Sequence, residues 1–116
     1  TVSAIVSFIL ALVLHPEMRT RGQEELDRVV GRDRLPTFDD RPALPYIEGI
    51  VKETLRHLRT YMTGAPHDLD KDDEYNRYFI PAGTIVLPNQ WAMLHDETEY
   101  PDPFAFLPKR WILGDG

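Results

Sequence analysis

No cysteine occurs among the 116 residues of this sequence. This absence excludes, within the chain, a disulfide framework, a zinc or iron–sulfur site held by thiolates, and a cysteine nucleophile. A small secreted module stapled by disulfides is therefore disfavoured.

Basic residues are also few. The chain has 13 Lys and Arg against 19 Asp and Glu, which gives a net charge of -6. A nucleic-acid binder needs a basic face that offsets phosphate charge, so that class of protein is disfavoured. The hydrophobic share of 42% and the charged share of 28% are ordinary for a folded chain of about one domain.

Several catalytic and metal-binding motifs are missing as well. The glycines are too dispersed for a phosphate loop, both serines lie in the first apolar segment, and the histidines form no H-E-x-x-H motif. The acidic run 68–73 places carboxylates at the first, third and fifth positions of a calcium loop. However, Asp73 stands where that loop needs glycine and Phe79 where it needs glutamate. We interpret this run as a solvated turn.

Hydrophobic periodicity predicts three main helices. Residues 1–14 are apolar on nearly every face, which is typical of a helix buried in a core larger than this chain can build. This segment is shorter than the roughly 20 residues that span a bilayer. His15-Pro16 ends it, and Pro16 begins a second helix that Gly31 can cap. A third helix runs from about Pro45 to Leu58, with apolar residues at three- and four-residue spacing.

The second half of the chain predicts less regular structure. Residues 75–80 and 84–87 are expected to be two strands joined by a tight turn at residues 80–83, with Pro81 second and Gly83 fourth. Residues 59–73 are predicted to be irregular, residues 89–95 a short helix, and residues from 98 onward a packed coil. The fold class expected is α+β, mainly α.

Glu53 and Arg56 share a face of the third helix because they are three residues apart. An exposed helical ion pair is the ordinary interpretation, and Glu25 and Arg28 have the same spacing on the charged face of the second helix. The Glu53 pair instead adjoins a strong apolar stripe, so we expect it to lie nearer the core. A buried pair needs further hydrogen bonds, and Arg110 in the segment PKRW is the candidate partner.

The order of these segments resembles the cytochrome P-450 superfamily of heme-thiolate monooxygenases, within it the fungal, microsomal-type members. The resemblance runs from Thr1 to about Ile112. It is carried by the apolar helix followed by HPEMRTRGQEELDRVVG, LPYIEGIVKETLR, YFIPAGTIVLP, NQWAMLHD and YPDPFAFLPKRW. It implies a partial fold: the end of the heme-crossing helix, two further helices, a small β hairpin and an irregular coil.

The resemblance implies roles for a few residues. Glu53 and Arg56 match the E-x-x-R pair of the family, and Arg110 matches the arginine of its P-E-R-F motif. In the family these three form a structural salt-bridge cluster that braces the heme-side core. His67 matches a donor to a heme propionate, and Tyr61 and Met62 match the segment that faces substrate. The resemblance assigns no catalytic residue and no metal ligand within the chain.

Some features depart from the family pattern. The cysteine that ligates heme iron in the family lies downstream of the P-E-R-F motif, and this sequence contains no cysteine. Thr1 matches the neighbour of the oxygen-activating threonine, or that threonine itself. Residues 57–63 lack the family's aromatic-His-Pro step, a pattern that a compensated frame error would produce. Asp68 adds a negative charge beside the predicted propionate donor.

We therefore expect 1–116 to be a single partial domain of a larger monooxygenase, lacking the N-terminal part and the heme-ligand loop. The parent enzyme is expected to insert one oxygen atom from O2 into a small organic substrate, with electrons from an NADPH-dependent reductase, at the endoplasmic reticulum membrane. The chain alone is expected to be inactive. The alternatives are a truncated or pseudogene product, or a heme-free interaction module without catalysis.

Overall fold

The computed structural model describes residues 2–57 and 64–112. The chain divides into two compact units, Thr1–Thr60 with Asp102–Gly116, and Tyr61–Pro101. The first unit is helical and the second holds the strands. The predicted class, mainly helical with small antiparallel pairs, is confirmed. The expectation of one partial domain over 1–116 stays a prediction.

Two helices begin the first unit, α1 (Val2–Leu14) and α2 (Pro16–Val29). The break between them lies at His15, as predicted, because the residue before a proline avoids helical geometry. Gly31, at a φ of 79°, ends α2 by donating its N–H to the carbonyl of Leu26. In the described residues no single helix is long and apolar enough to cross a membrane. Helices α1 and α2 together have the length and composition of a membrane span, but the chain bends by 105° between them.

Helix α3 (Pro45–His57) completes the helical layer, and a short 3-10 helix (Phe38–Ala43) precedes it. A capping box between Thr37 and Asp40 explains that turn. A second 3-10 helix (Pro108–Trp111) packs against α3 at the end of the unit. Leu58, the predicted last residue of the third helix, lies outside the described residues.

A small apolar core joins these helices. Its buried members are Ala11 of α1, Tyr46 and Ile50 of α3, and Phe106 of the segment before the second 3-10 helix. The Phe106 ring stacks on His15 with centroids 5.4 Å apart and meets His57 edge-on at 5.7 Å. The core therefore fixes the α1–α2 corner and the end of α3 to the segment that precedes the second 3-10 helix.

The first helix is present as predicted, and this chain alone does not bury it, in line with the prediction that its core is larger than the chain can build. Only Ala11 is buried, because α2 and α3 cover one side of the helix and no other described element of its unit covers the rest. The large apolar residues of α1 that are between 51% and 77% exposed are Val2, Ile5, Val6, Ile9, Leu10, Val13 and Leu14.

The strand unit contains two antiparallel pairs, and the predicted hairpin is wrong in its pairing. Strand β2 (Asp73–Tyr75) pairs with β3 (Tyr78–Ile80), whereas β4 (Ile85–Val86) pairs with β1 (His67–Asp68). The chain reverses inside the expected strand 75–80, because residues 76 and 77 both take positive φ, at 51° and 67°. That geometry forms the two-residue turn that hairpins favour.

The turn predicted at residues 80–83 is displaced by one residue. The Thr84 N–H donates to the Pro81 carbonyl, so the turn spans residues 81–84, with Gly83 third at a φ of 79°. A positive φ at the third position is the type II arrangement that glycine permits. Helix α4 (Gln90–Leu94) follows, and Asn89 caps it by accepting the Ala92 N–H, so the predicted short helix is confirmed.

Candidate functional site: a buried Glu–Arg cluster

Helix α3 turns Glu53 and Arg56 toward the second 3-10 helix. Their spacing of three residues places both on the same face, and Gly49 lies one turn before Glu53. A Cβ at Gly49 would meet the Pro108 carbonyl oxygen at 2.6 Å, so glycine lets the two elements approach. Glu53 is fully buried and Arg56 is 3% exposed, which confirms that this pair lies in the core.

The Glu53 carboxylate accepts hydrogen bonds from five described donors, which together with it we call the Glu53 cluster. Oε1 accepts Arg56 Nη2 at 2.7 Å, the Leu107 N–H at 2.9 Å and Arg110 Nε at 3.2 Å. Oε2 accepts Arg56 Nε at 2.9 Å and Trp111 Nε1 at 2.9 Å. A carboxylate offers about four lone-pair sites, so this one is saturated.

The two arginines also tie the cluster to backbone. Arg56 Nη1 donates to the Pro103 carbonyl at 2.8 Å, and its Nη2 to the Ala105 carbonyl at 3.2 Å. Arg110 Nη2 donates to the Asp102 carbonyl at 3.1 Å. Each guanidinium therefore bridges the carboxylate and the 102–105 segment, and the predicted three-residue cluster is present.

The electrostatic balance favours the ionised form of Glu53. Burial alone would raise the pKa of this carboxyl. The hydrogen bonds from Arg56, Leu107 and Trp111, together with the nearby Arg56 charge, outweigh burial and lower the pKa below the ordinary 4.5. The carboxylate therefore stays charged at neutral pH, as two cationic partners in a buried site require.

Glu25 is a site residue that the sequence did not predict. It was assigned to the solvated face of α2, yet it is only 6% exposed. Its two carboxylate oxygens accept the N–H groups of Tyr46 at 3.1 Å and Ile47 at 2.9 Å. These are free N–H groups of the first turn of α3, where Leu44 has no capping side chain. The uncapped start Leu44-Pro45-Tyr46 was the available signal.

Of the residues expected near heme, His67 lies in the second unit. His67 begins β1, opposite Val86, and its side chain is exposed. Successive strand residues point to opposite faces, so Asp68 directs its charge away from the face that His67 presents. Tyr61, Met62 and Thr1 lie outside the described residues, as do most of the residues for which a frame error was considered.

Comparison with known proteins identifies the family. The family model for cytochrome P450 matches residues 1–116, and the chain belongs to that family. The chain is 51% identical over 111 residues to cytochrome P450 monooxygenase claT of Ampulloclitocybe clavipes, covering 96% of this chain and 22% of that protein. It is 48% identical over 112 residues to the multifunctional cytochrome P450 monooxygenase af510 of Aspergillus fumigatus, covering 97% and 21%.

A solved structure agrees with this assignment. A zebra fish cytochrome P450 solved with progesterone superposes with a TM-score of 0.89 at 34% identity, covering 96% of this chain and 26% of that chain. The chain thus spans about a fifth to a quarter of the proteins that it matches.

His67 is the residue expected to bind heme, and it lies within the described part of the chain. The exposed His67 imidazole has the N–H chemistry to bind a carboxylate such as a propionate. The donor set lacks a thiolate, since the sequence contains no cysteine. In the described residues no group of three or more His, Cys, Asp or Glu is placed to hold a metal ion.

Proposed function

We propose that this chain is the cluster-bearing segment of a heme-dependent monooxygenase that inserts one oxygen atom from O2 into an organic substrate. The observation that carries the proposal is the saturated Glu53 carboxylate, built from the same residues that match the E-x-x-R and P-E-R-F motifs. Membership of the cytochrome P450 family and relatives named monooxygenases support it.

Heme with a cysteine thiolate would supply the oxygen-activating chemistry, since the thiolate favours O–O cleavage. The residues of this chain would bind heme and substrate and would hold the surrounding elements in place. Glu53, Arg56 and Arg110 would hold α3 and the 102–111 segment as one rigid support. His67 would donate an N–H to a propionate, and Tyr61 and Met62 would face substrate. The thiolate would come from residues outside this sequence, and the 116 residues alone would be inactive.

The proposal extends to partners and location. Electrons would come from an NADPH-dependent reductase, the substrate would be a small organic molecule, and the whole enzyme would lie at the endoplasmic reticulum membrane. The support for these points is the resemblance to microsomal-type members and the family match.

The test is the carbon monoxide difference spectrum of the full-length protein that contains this segment, reduced with dithionite. The thiolate-ligated heme band is the expected result. His67→Ala should speed heme transfer to apomyoglobin, whereas His67→Gln, which keeps an N–H donor, should restore much of the retention. A heme-free wild-type protein would contradict the proposal.

A second candidate, a heme-free interaction module, is favoured by one observation. The α1 residues left exposed within this chain form an apolar surface of the kind that binds partners or aggregates. If the full-length protein folds cooperatively without heme and shows no heme band when heme is supplied, this second function is the better account.

A further inference from the structure

Trp111 stands where the P-E-R-F pattern has its phenylalanine, and its indole reaches the buried carboxylate directly. Its Nε1 donates to Glu53 Oε2 at 2.9 Å. The other described donor to that oxygen is Arg56 Nε, whereas three described donors share Oε1. A phenyl ring has no N–H group, so the second bond to Oε2 depends on tryptophan at this position.

A cation also lies over the same ring. Lys52 Nζ lies 5.9 Å from the centroid of the Trp111 ring, within the range in which a cation attracts an aromatic face. Lys52 and Glu53 are neighbours on α3. Helix α3 therefore holds the indole twice, once through a charge over the ring and once through the hydrogen bond to Oε2.

The torsion that sets the rotation of the Glu53 carboxylate is a soft one. The terminal torsion of a glutamate side chain is broad and roughly two-fold, so a buried carboxylate needs donors on both oxygens to define its rotation. Arg56 spans both oxygens with its fork, and Arg110 and the Leu107 N–H crowd Oε1. The indole N–H is a second donor to Oε2, beside Arg56 Nε.

We propose that Trp111 is a positioning residue: its indole N–H fixes the rotation of the Glu53 carboxylate and thereby the placement of Arg56 and Arg110. The role of the cluster as a brace for the heme-side core rests on the proposed function. The hydrogen bond itself is tested independently of heme.

The experiment compares side chains at position 111 of the full-length protein. Trp111→Phe removes both the N–H and part of the ring. Site-specific benzothienylalanine keeps the shape of the ring and removes only the N–H, and a ring-fluorinated tryptophan keeps both. Trp91→Phe is the matched control, since Trp91 lies in the other compact unit and is 37% exposed. The readout is the rate of unfolding in urea, followed by far-ultraviolet circular dichroism.

A hydrogen bond to a charged group contributes about 1.5–3 kcal/mol, which corresponds to a change of about tenfold or more. We expect benzothienylalanine and Trp111→Phe to unfold about tenfold faster than wild type, and the fluorinated tryptophan and Trp91→Phe to match wild type. Benzothienylalanine within about threefold of wild type would overturn the proposal, because the ring would then act by packing alone.

A measurement on the unsubstituted ring covers the case in which the variants do not fold. Isotope-labelled tryptophan placed at position 111 alone should show an indole proton that exchanges with solvent much more slowly than that of free tryptophan. Exchange as fast as in free tryptophan would also overturn the proposal. Loss of the heme spectrum in wild type would contradict the proposed function, while the unfolding rates would still decide the role of Trp111.

Discussion

At Glu53, charge and burial oppose one another. The carboxylate is fully buried, and the cost of removing it from water is offset only because every oxygen lone pair is engaged and two guanidinium groups lie beside it. Such a site is sensitive to the loss of one partner, because each remaining charge stays in the core.

Glu53→Ala should therefore destabilise the full-length protein by about 3–5 kcal/mol, because Arg56 would remain buried without its counter-ion. Arg110→Ala should cost less, about 1–2 kcal/mol, since its side chain is 12% exposed and Arg56 still pairs with Glu53. Urea unfolding measures both. Arg32→Ala, at the exposed pair with Asp27, is the control and should change stability by less than about 1 kcal/mol.

The cluster should also behave as a unit. Because Arg110 donates a hydrogen bond directly to the Glu53 carboxylate, a double-mutant cycle between the two residues should show a coupling energy of about 1 kcal/mol or more. Additive effects would mean that Glu53 and Arg110 contribute to stability independently of each other.

Acid should weaken the fold through Glu53. Its folded pKa lies below the ordinary 4.5, so its contribution to stability is complete above about that pH and is lost as the pH falls through the lowered value. Glu53→Gln should therefore flatten the fall in stability below pH 4.5, by up to one proton in the slope. Glu24→Gln, at an exposed position of α2, should leave the slope unchanged.

Glu25 stabilises a helix other than its own: from α2 its carboxylate caps the first turn of α3. Loss of a helix cap costs about 0.5–2 kcal/mol, and we expect Glu25→Ala to reach the upper end because both oxygens are used. Thermal unfolding of the full-length protein measures the loss. The adjacent Glu24→Ala is the control, and an equal effect of both variants would show that α2 charge, rather than capping, stabilises the fold.

At the scale of elements, the close contact between α3 and the second 3-10 helix depends on the glycine at position 49. Gly49 leaves room for the Pro108 carbonyl, and that approach brings Leu107, Arg110 and Trp111 to Glu53. A larger residue would separate the two elements and lengthen several hydrogen bonds together.

Gly49→Val should thus destabilise the protein by about 2 kcal/mol or more, although glycine itself is a poor helix former. Gln23→Val places the same β-branched residue at an exposed position of α2 and should cost only about 0.5 kcal/mol. Urea denaturation of the two variants separates packing from propensity. Equal losses would mean that the close approach at Gly49 contributes nothing.

At the scale of the whole molecule, α1 exposes large apolar side chains that the other described elements of its unit leave uncovered. Its exposed side chains include Ile5, Ile9 and Val13, which are spaced by four residues. In the full-length protein we expect such a surface to be covered, since exposed apolar area of this kind is unfavourable in water.

Ile9→Lys should therefore have opposite effects in two settings. It should raise the solubility of the 116-residue chain expressed alone, and it should destabilise the full-length protein by about 2 kcal/mol or more, because it would bury an unpaired charge. Sedimentation of the isolated chain and urea unfolding of the full-length protein measure the two effects. Unchanged stability of the full-length variant would show that this face stays open to solvent in the full-length protein.

The local sequence was enough to predict the helices and the family. Apolar spacing, His15-Pro16 and Gly31 define the helix limits, because propensity, capping and proline geometry act between near neighbours. The Glu53, Arg56 and Arg110 cluster was predicted because motif order supplied a long-range pairing that spacing alone does not.

Tertiary structure decided the rest. The pairing of β1 with β4, the burial of Glu25 and the indole bond of Trp111 each join residues distant in sequence. Glu25 and Tyr46 are 21 residues apart, and Glu53 and Trp111 are 58 residues apart. Such contacts depend on where whole elements pack, and an exposed or a buried glutamate looks the same in a helical charge pattern. The sequence therefore determined which local structures form, and only the packing of those structures determined which polar groups lie in the core.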